Sequence, residues 1–184
     1  MAARVLYTDI DGTLVGPGGN LLADDDGKPT SVAVDALLRA REAGLEIVGL
    51  SGRAQLRMFE LARLLGLRTW ICELGGVRVY ERGDEIILDT GSHNEPGAIA
   101  DQLREALAVL VERYDTLEEH DPWNEGRQVS VMVRGHCDVA EAGALLDEAG
   151  FGAFSLTDNG VLPRTVPTLP HVATVRIYHV TPRG

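Results

Sequence analysis

The sequence predicts an α/β fold followed by a smaller α+β module. Three observations carry this expectation. Short apolar runs alternate with amphipathic segments of helical period up to Cys72. Each of those runs stops at a polar residue, namely Asp9, Ser51 or Glu73. Beyond Gly75-Gly76 the pattern shifts to a hairpin, longer helices and alternating strands.

Taken in order, Arg4-Val5-Leu6-Tyr7-Thr8 reads as a buried parallel strand, and a polar, glycine-rich loop follows. Residues 31–43 place Val34, Leu37, Leu38 and Arg41 at helical spacing, with Thr30 or Ser31 available as a cap and Gly44 to end the helix. Leu45-Glu46-Ile47-Val48-Gly49-Leu50 is a second buried strand. Residues 53–65 form a second helix, with Ser51 placed to cap it and Gly66 to close it. Thr69-Trp70-Ile71-Cys72 is the third strand. Strands that alternate with helices at this pace imply right-handed crossovers and a parallel sheet. Ligands bind such sheets beyond the carboxyl ends of the strands, so Asp9, Ser51 and Glu73 are expected to converge.

Val77–Tyr80 and Glu85–Leu88 flank Arg82-Gly83-Asp84 as a hairpin. A second unit is expected from about residue 92. Ile99, Leu103, Leu107, Leu110 and Tyr114 mark one amphipathic helix, and Val139, Ala142, Leu145, Leu146 and Ala149 another. Between them Val129, Val131 and Val133 alternate with Ser130, Met132 and Arg134, as in a sheet with one covered face. Later strands are expected at 151–156 and 173–180, and residues 158–170, with three prolines, as the most irregular stretch. The resulting division is 1–91 with its hairpin at 77–88, then 92–180, then a short return segment at 181–184.

Composition narrows the function. The 184 residues are 45% hydrophobic, enough for real cores, and carry a formal charge of −11. Such a surface lacks the basic face that a nucleic-acid backbone requires. It does not exclude a small anionic substrate, because a few backbone amides and one metal ion reverse the local field. No apolar run approaches the ~18 residues of a membrane span, and the amino terminus has no signal-peptide core, so a cytoplasmic location and no membrane partner are expected. Cys72 and Cys137 read as reduced structural thiols, and the five histidines have no ligand-like spacing.

The chemistry is concentrated in Thr8-Asp9-Ile10-Asp11-Gly12-Thr13-Leu14-Val15. Residues two apart on a strand face the same side, so Asp9 and Asp11 present two carboxylates to one pocket. Gly12 permits a sharp turn that brings backbone amides toward an anion, and Thr13 adds a hydroxyl. One carboxylate can attack phosphorus while its neighbour protonates the departing alkoxide. Two anions beside a phosphate call for a hard cation, and magnesium suits oxygen ligands. An isolated Asp-x-Asp-Gly is more often a simple turn, and an EF-hand is excluded because Gly18 stands where its glutamate belongs. Asp24-Asp25-Asp26-Gly27 reads as a solvated turn.

Asp9-Ile10-Asp11-Gly12-Thr13-Leu14-Val15 resembles the first signature of the haloacid dehalogenase-like phosphatases, and Leu50-Ser51-Gly52-Arg53 resembles the second. Ile71-Cys72-Glu73-Leu74-Gly75-Gly76 is similar to the segment after the third strand in the branch of sugar phosphatases, sucrose-phosphate phosphatase and mannosyl-3-phosphoglycerate phosphatase. That branch usually carries Glu-Asn-Gly there, with Leu74 replacing the asparagine here. The resemblance implies a Rossmann-like core with an inserted α+β cap. It also implies Asp9 as nucleophile, Asp11 as general acid and base, and Thr13, Ser51, Gly52 and Arg53 as phosphate ligands. Magnesium would be held by Asp9 and the Asp11 carbonyl. Ser51 as a mere helix cap, and Arg53 as a surface arginine near Glu60, are the competing readings. Trp123 is a candidate to line a substrate pocket, against simple packing on its own unit.

The family's returning segment supplies a lysine and further acidic residues, and neither is expected here. Lys28 is the chain's one lysine and lies in the loop after the first motif. The core is therefore expected to be incomplete, the chain a truncated form with impaired turnover, and residues 4–8 an apolar edge open to self-association. The expected function is magnesium-dependent hydrolysis of a small phosphorylated metabolite such as a sugar phosphate. A phosphomutase, or a non-catalytic module on a decayed core, are the alternatives.

Overall fold

A computed structural model describes residues 4–91 and 96–183. The expected start of the second module at residue 92 and the final Gly184 lie outside the described residues. The chain divides into two units, Met1–Ile87 and Leu88–Gly184.

The first unit runs β1 (Val5–Asp9), α1 (Val32–Glu42), β2 (Glu46–Leu50), α2 (Gln55–Leu65), β3 (Thr69–Cys72), β4 (Val77–Tyr80) and β5 (Glu85–Leu88). Its sheet has the order β1-β2-β3-β4-β5. The first three strands are parallel, as the alternating pattern predicts, and the register sets Asp9 beside Leu50 and Leu50 beside Ile71. Their carboxyl ends are therefore level. β4 returns antiparallel to β3, which makes the sheet mixed. The α/β class holds, and the core forms where Ile47, Val48, Met58, Ala62, Leu67 and Trp70 are buried. Gly49 is glycine for a steric reason, since a Cβ there would lie 2.8 Å from Met58 and 2.9 Å from Leu67.

Two expectations need correction. β1 is not buried: Val5, Leu6 and Tyr7 are 41%, 41% and 61% exposed, because β1 is the edge of the sheet. Its composition is that of an interior strand, but its outer side has no neighbouring strand among the described residues. Nor does Ser51 cap α2. The N-cap is Ala54 in an extended conformation, and Ser51-Gly52-Arg53 forms a separate turn between β2 and the helix. By contrast Gly66 closes α2 in the left-handed conformation, with its N–H on the Arg63 carbonyl. At the carboxyl end of β3 two successive non-glycine residues, Glu73 (φ 49°) and Leu74 (φ 58°), also adopt positive φ.

The second unit runs α3 (Pro96–Arg113), β6 (Leu117–Glu119), β7 (Val131–Gly135), α4 (Val139–Glu148), β8 (Phe154–Val161) and β9 (Arg176–Pro182). Its antiparallel sheet has the order β6-β7-β9-β8. Both helices appear where their apolar spacing puts them, and Ile99, Leu103, Leu107 and Leu110 are buried. β6 has no sequence signal, because Leu117-Glu118-Glu119 is short and acidic. β8 runs on through Asp158-Asn159-Gly160 into the stretch expected to be irregular, accommodated by a register shift between Asp158 and Val161.

The expectation of one covered face also fails, for Ser130 and Met132 are buried along with Val131 and Val133. The loop 120–130 supplies the second cover. Asn124 accepts from the Met132 N–H at 2.6 Å and donates to its carbonyl at 2.8 Å, so a side chain replaces a strand on that stretch of β7. Arg127 donates to the Trp123 carbonyl at 2.9 Å and to Ser130 Oγ at 2.7 Å. Trp123 thus packs on its own unit, with its ring 6.3 Å from His120. His120, whose N–H donates to the Met132 carbonyl, and His179, the register partner of Met132, are both buried in the same row. Burial first, then the charges of Arg134, Arg164 and Arg127 against the weaker pull of Glu118, lower the His120 pKa to about 4. Burial, then Arg127 and His120, lowers that of His179 to about 3.

Both rings are therefore neutral when folded but bind protons near pH 6.5 when unfolded. Stability from this row is fully present above about pH 6.5 and is lost as pH falls from there toward 4 and 3. Denaturant titrations at pH 7.5 and 5.0 should show the second unit losing stability at the lower pH, with His179→Gln flattening the difference; equal stabilities would contradict it. In the first unit, Trp70 is wholly buried with its ring 6.0 Å from Phe59 in an edge-on contact. Trp70→Ala is expected to cost about 3–5 kcal/mol in urea unfolding.

Candidate active site

The site grows from the alternation at the end of β1. Ile10 points into the core and is fully buried, which leaves Asp9 and Asp11 on the exposed side. The Ile10 N–H donates to the Leu50 carbonyl at 3.1 Å. Its own carbonyl accepts the N–H groups of Thr13 (3.3 Å), Leu14 (3.0 Å) and Val15 (3.0 Å). That reversal needs Gly12 at φ +83°, a conformation side chains resist. The turn returns Thr13 to Asp9, where its hydroxyl donates to Oδ2 at 3.4 Å.

The turn after β2 completes the arrangement. Ser51, buried, donates from Oγ to Asp11 Oδ2 at 3.2 Å, and the same oxygen accepts the Arg53 N–H at 3.2 Å. The Arg53 guanidinium grips Asp11 with two donors, Nε to Oδ2 at 3.0 Å and Nη2 to Oδ1 at 2.6 Å. Its backbone carbonyl accepts the Glu73 N–H at 3.1 Å, so the ends of all three parallel strands are tied together. Charge-assisted, forked contacts of this kind are the strong class of hydrogen bond.

Of the residues singled out in the sequence, Asp9 and Thr13 form one bonded pair, and Asp11, Ser51 and Arg53 another group, with Gly52 between the last two. Arg53 is not the surface partner of Glu60, which pairs with Arg63. Lys28 pairs with Asp26 in an exposed loop that Asp24 closes by accepting the Asp26 and Lys28 N–H groups. Glu73, expected to converge here with Asp9 and Ser51, does so through its backbone N–H. One contributor had no place in the sequence reading: Gly19, at φ +78°, lies so close to Arg53 that a Cβ there would be 3.2 Å from Nη2, and its adjacency to Gly18 was the available signal.

Among the described residues no three His, Cys, Asp or Glu side chains gather as a metal-binding group. What the site offers a hard cation is oxygen: the Asp9 carboxylate, whose one hydrogen-bond donor among the described residues is Thr13, and the adjoining Asp11 main chain. These donors are of the type magnesium takes, and magnesium completes its shell with water.

A family model described as haloacid dehalogenase-like hydrolase matches residues 6–113, which include every residue of this site. The chain belongs to that family. Among curated proteins, the chain is similar to the pyridoxal phosphate phosphatase YbhA of Escherichia coli, 33% identical over 89 residues, covering 48% of this chain and 30% of YbhA. A solved structure from Thermoplasma acidophilum matches with a TM-score of 0.64 at 19% identity, covering all of this chain and 66% of that one. A haloacid dehalogenase subclass IIB sugar phosphatase matches with a TM-score of 0.55 at 17% identity, covering 99% of this chain and 71% of that one. The two structures establish the fold. The chain's match takes in under a third of its curated relative's length and about two thirds of the Thermoplasma structure.

The dual role of Ser51 makes it the sensitive point of this haloacid dehalogenase-like site. Ser51→Ala removes the acceptor of a part-buried backbone N–H as well as a donor to Asp11, and is expected to cost about 1–3 kcal/mol. Urea unfolding of the variant measures it.

Proposed function

We propose that this protein hydrolyses the phosphomonoester of a small phosphorylated metabolite, a sugar phosphate being the first candidate, through a phosphoryl-aspartate on Asp9. The observation that carries the reading is the asymmetry of the two carboxylates. Asp11 is fixed by Ser51 and Arg53, whereas the Asp9 carboxylate is exposed at the mouth of the sheet with one long hydrogen bond from Thr13. A nucleophile must reach phosphorus, and a proton-transfer group must be held in place beside it.

In this reading an Asp9 oxygen forms the bond to phosphorus as the bond to the leaving alkoxide breaks, and Asp11 delivers the proton that the alkoxide needs. Water then attacks the phosphoryl-aspartate, Asp11 takes back a proton, and inorganic phosphate departs with Asp9 restored. In the same reading Thr13, Ser51, Gly52 and Arg53 would bind the transferring group. Asp9 and the Asp11 carbonyl would hold magnesium, which when bound offsets the charge of the carboxylates and the phosphoryl oxygens.

Membership in the hydrolase family supports the reaction class. The substrate class is supported by the relatives, one a phosphatase of pyridoxal phosphate and one of sugars. No helix among the described residues is long and apolar enough to cross a membrane.

Phosphate release from a panel of sugar phosphates and pyridoxal phosphate, with and without magnesium, tests the proposal. Release is expected to require magnesium and to fall by about 1000-fold or more in Asp9→Asn. Full activity in Asp9→Asn would remove the mechanism, and transfer of the phosphoryl group from a sugar bisphosphate to an added sugar monophosphate instead of water would make the enzyme a phosphomutase.

A further inference from the structure

We infer that Asp11 and the incoming phosphate compete for one edge of the Arg53 guanidinium, so that Asp11 acts as a built-in competitor of phosphate binding. The inference rests on the phosphate site proposed above and concerns how that site is gated. Arg53 offers the Nε and Nη2 hydrogens as a planar fork, the geometry that fits a carboxylate or a phosphate equally well. Both donors of that edge are taken by Asp11, at 3.0 and 2.6 Å.

The surroundings leave Arg53 little choice of direction. Its N–H is held by Ser51 Oγ, its carbonyl by the Glu73 N–H, and the loop at Gly19 closes against Nη2. Asp11 for its part has a second donor in Ser51 Oγ, so it keeps a partner when the guanidinium leaves. The pair is also accessible, with the Asp11 side chain 51% exposed and that of Arg53 28%. A phosphoryl group arriving over Asp9 can therefore take the fork without unfolding anything, through an exchange of one anion for another. Arg53 is in this sense a positioning residue for Asp11 until substrate arrives, and a ligand of the phosphate afterwards.

A double-mutant cycle reads the competition directly. Inorganic phosphate binding is measured by calorimetric titration, in the presence of magnesium, for the wild-type chain, Asp11→Asn, Arg53→Gln and the double variant. Removing a negative charge helps an anion in any background, so the informative quantity is the difference between backgrounds. Asp11→Asn should tighten phosphate binding by about five-fold with Arg53 present, the upper end for an exposed ion pair, and by two-fold or less in Arg53→Gln. Arg53→Lys, which keeps the charge but loses the fork, should fall between. Equal gains in both backgrounds would overturn the competition while leaving the phosphate site standing. Absence of phosphate binding in all variants would overturn the site and this inference together.

Discussion

The burial of Ile10 is the constraint on which the rest of the first unit's site depends. One apolar side chain sunk in the core decides that the residues on either side of it face outward together, and its carbonyl gathers three successive N–H groups. No carboxylate would choose its own place so narrowly, since Asp9 and Asp11 are both hydrated and mobile by nature. Their placement comes from hydrophobic burial and a backbone turn, neither of which has any charge. The level register of β1, β2 and β3 then lets short side chains on neighbouring loops reach one another, which is why a serine and an arginine after β2 can address a carboxylate after β1.

Much of this was legible in the amino-acid order. Strand ends at Asp9, Ser51 and Glu73, both helices of the first unit and both of the second follow from periodicity and punctuation by glycine. What could not be read was anything set by neighbours. The apolar run at Val5-Leu6-Tyr7 has the composition of an interior strand whatever lies beside it; its place at an edge was expected from the resemblance, not from its own residues, and the sheet order has it there. Ser51 before a helical segment looks like a cap, yet the extended backbone at Ala54 moves the helix start and frees the hydroxyl for Asp11. β6 is carried by pairing with β7 rather than by its own composition.

The second unit follows a different rule. Its sheet is covered on one side by helices and over part of the other by a polar loop, so its interior includes imidazoles, a guanidinium and an amide as well as valines. Asn124 substitutes for a missing strand by offering one donor and one acceptor at the spacing of a backbone peptide. Alternation along β7 therefore fails to report exposure, because the polar side of the strand is satisfied inside the protein. Such interiors depend on every polar group finding a partner or remaining uncharged, which apolar cores do not require.

The pair Glu73 and Leu74 gives a reason for a residue choice that side-chain chemistry does not. Leu74 sits at φ 58° and ψ 29°, the left-handed region in which asparagine and glycine are at ease and a branched hydrocarbon is not. Half of its surface faces solvent, so it gains little burial in return. The asparagine that the resemblance implies at this place is a residue that takes this conformation more readily than leucine. A leucine can hold the same bend at a cost of roughly 1 kcal/mol, drawn from the stability of the fold, and the geometry around Arg53 is kept.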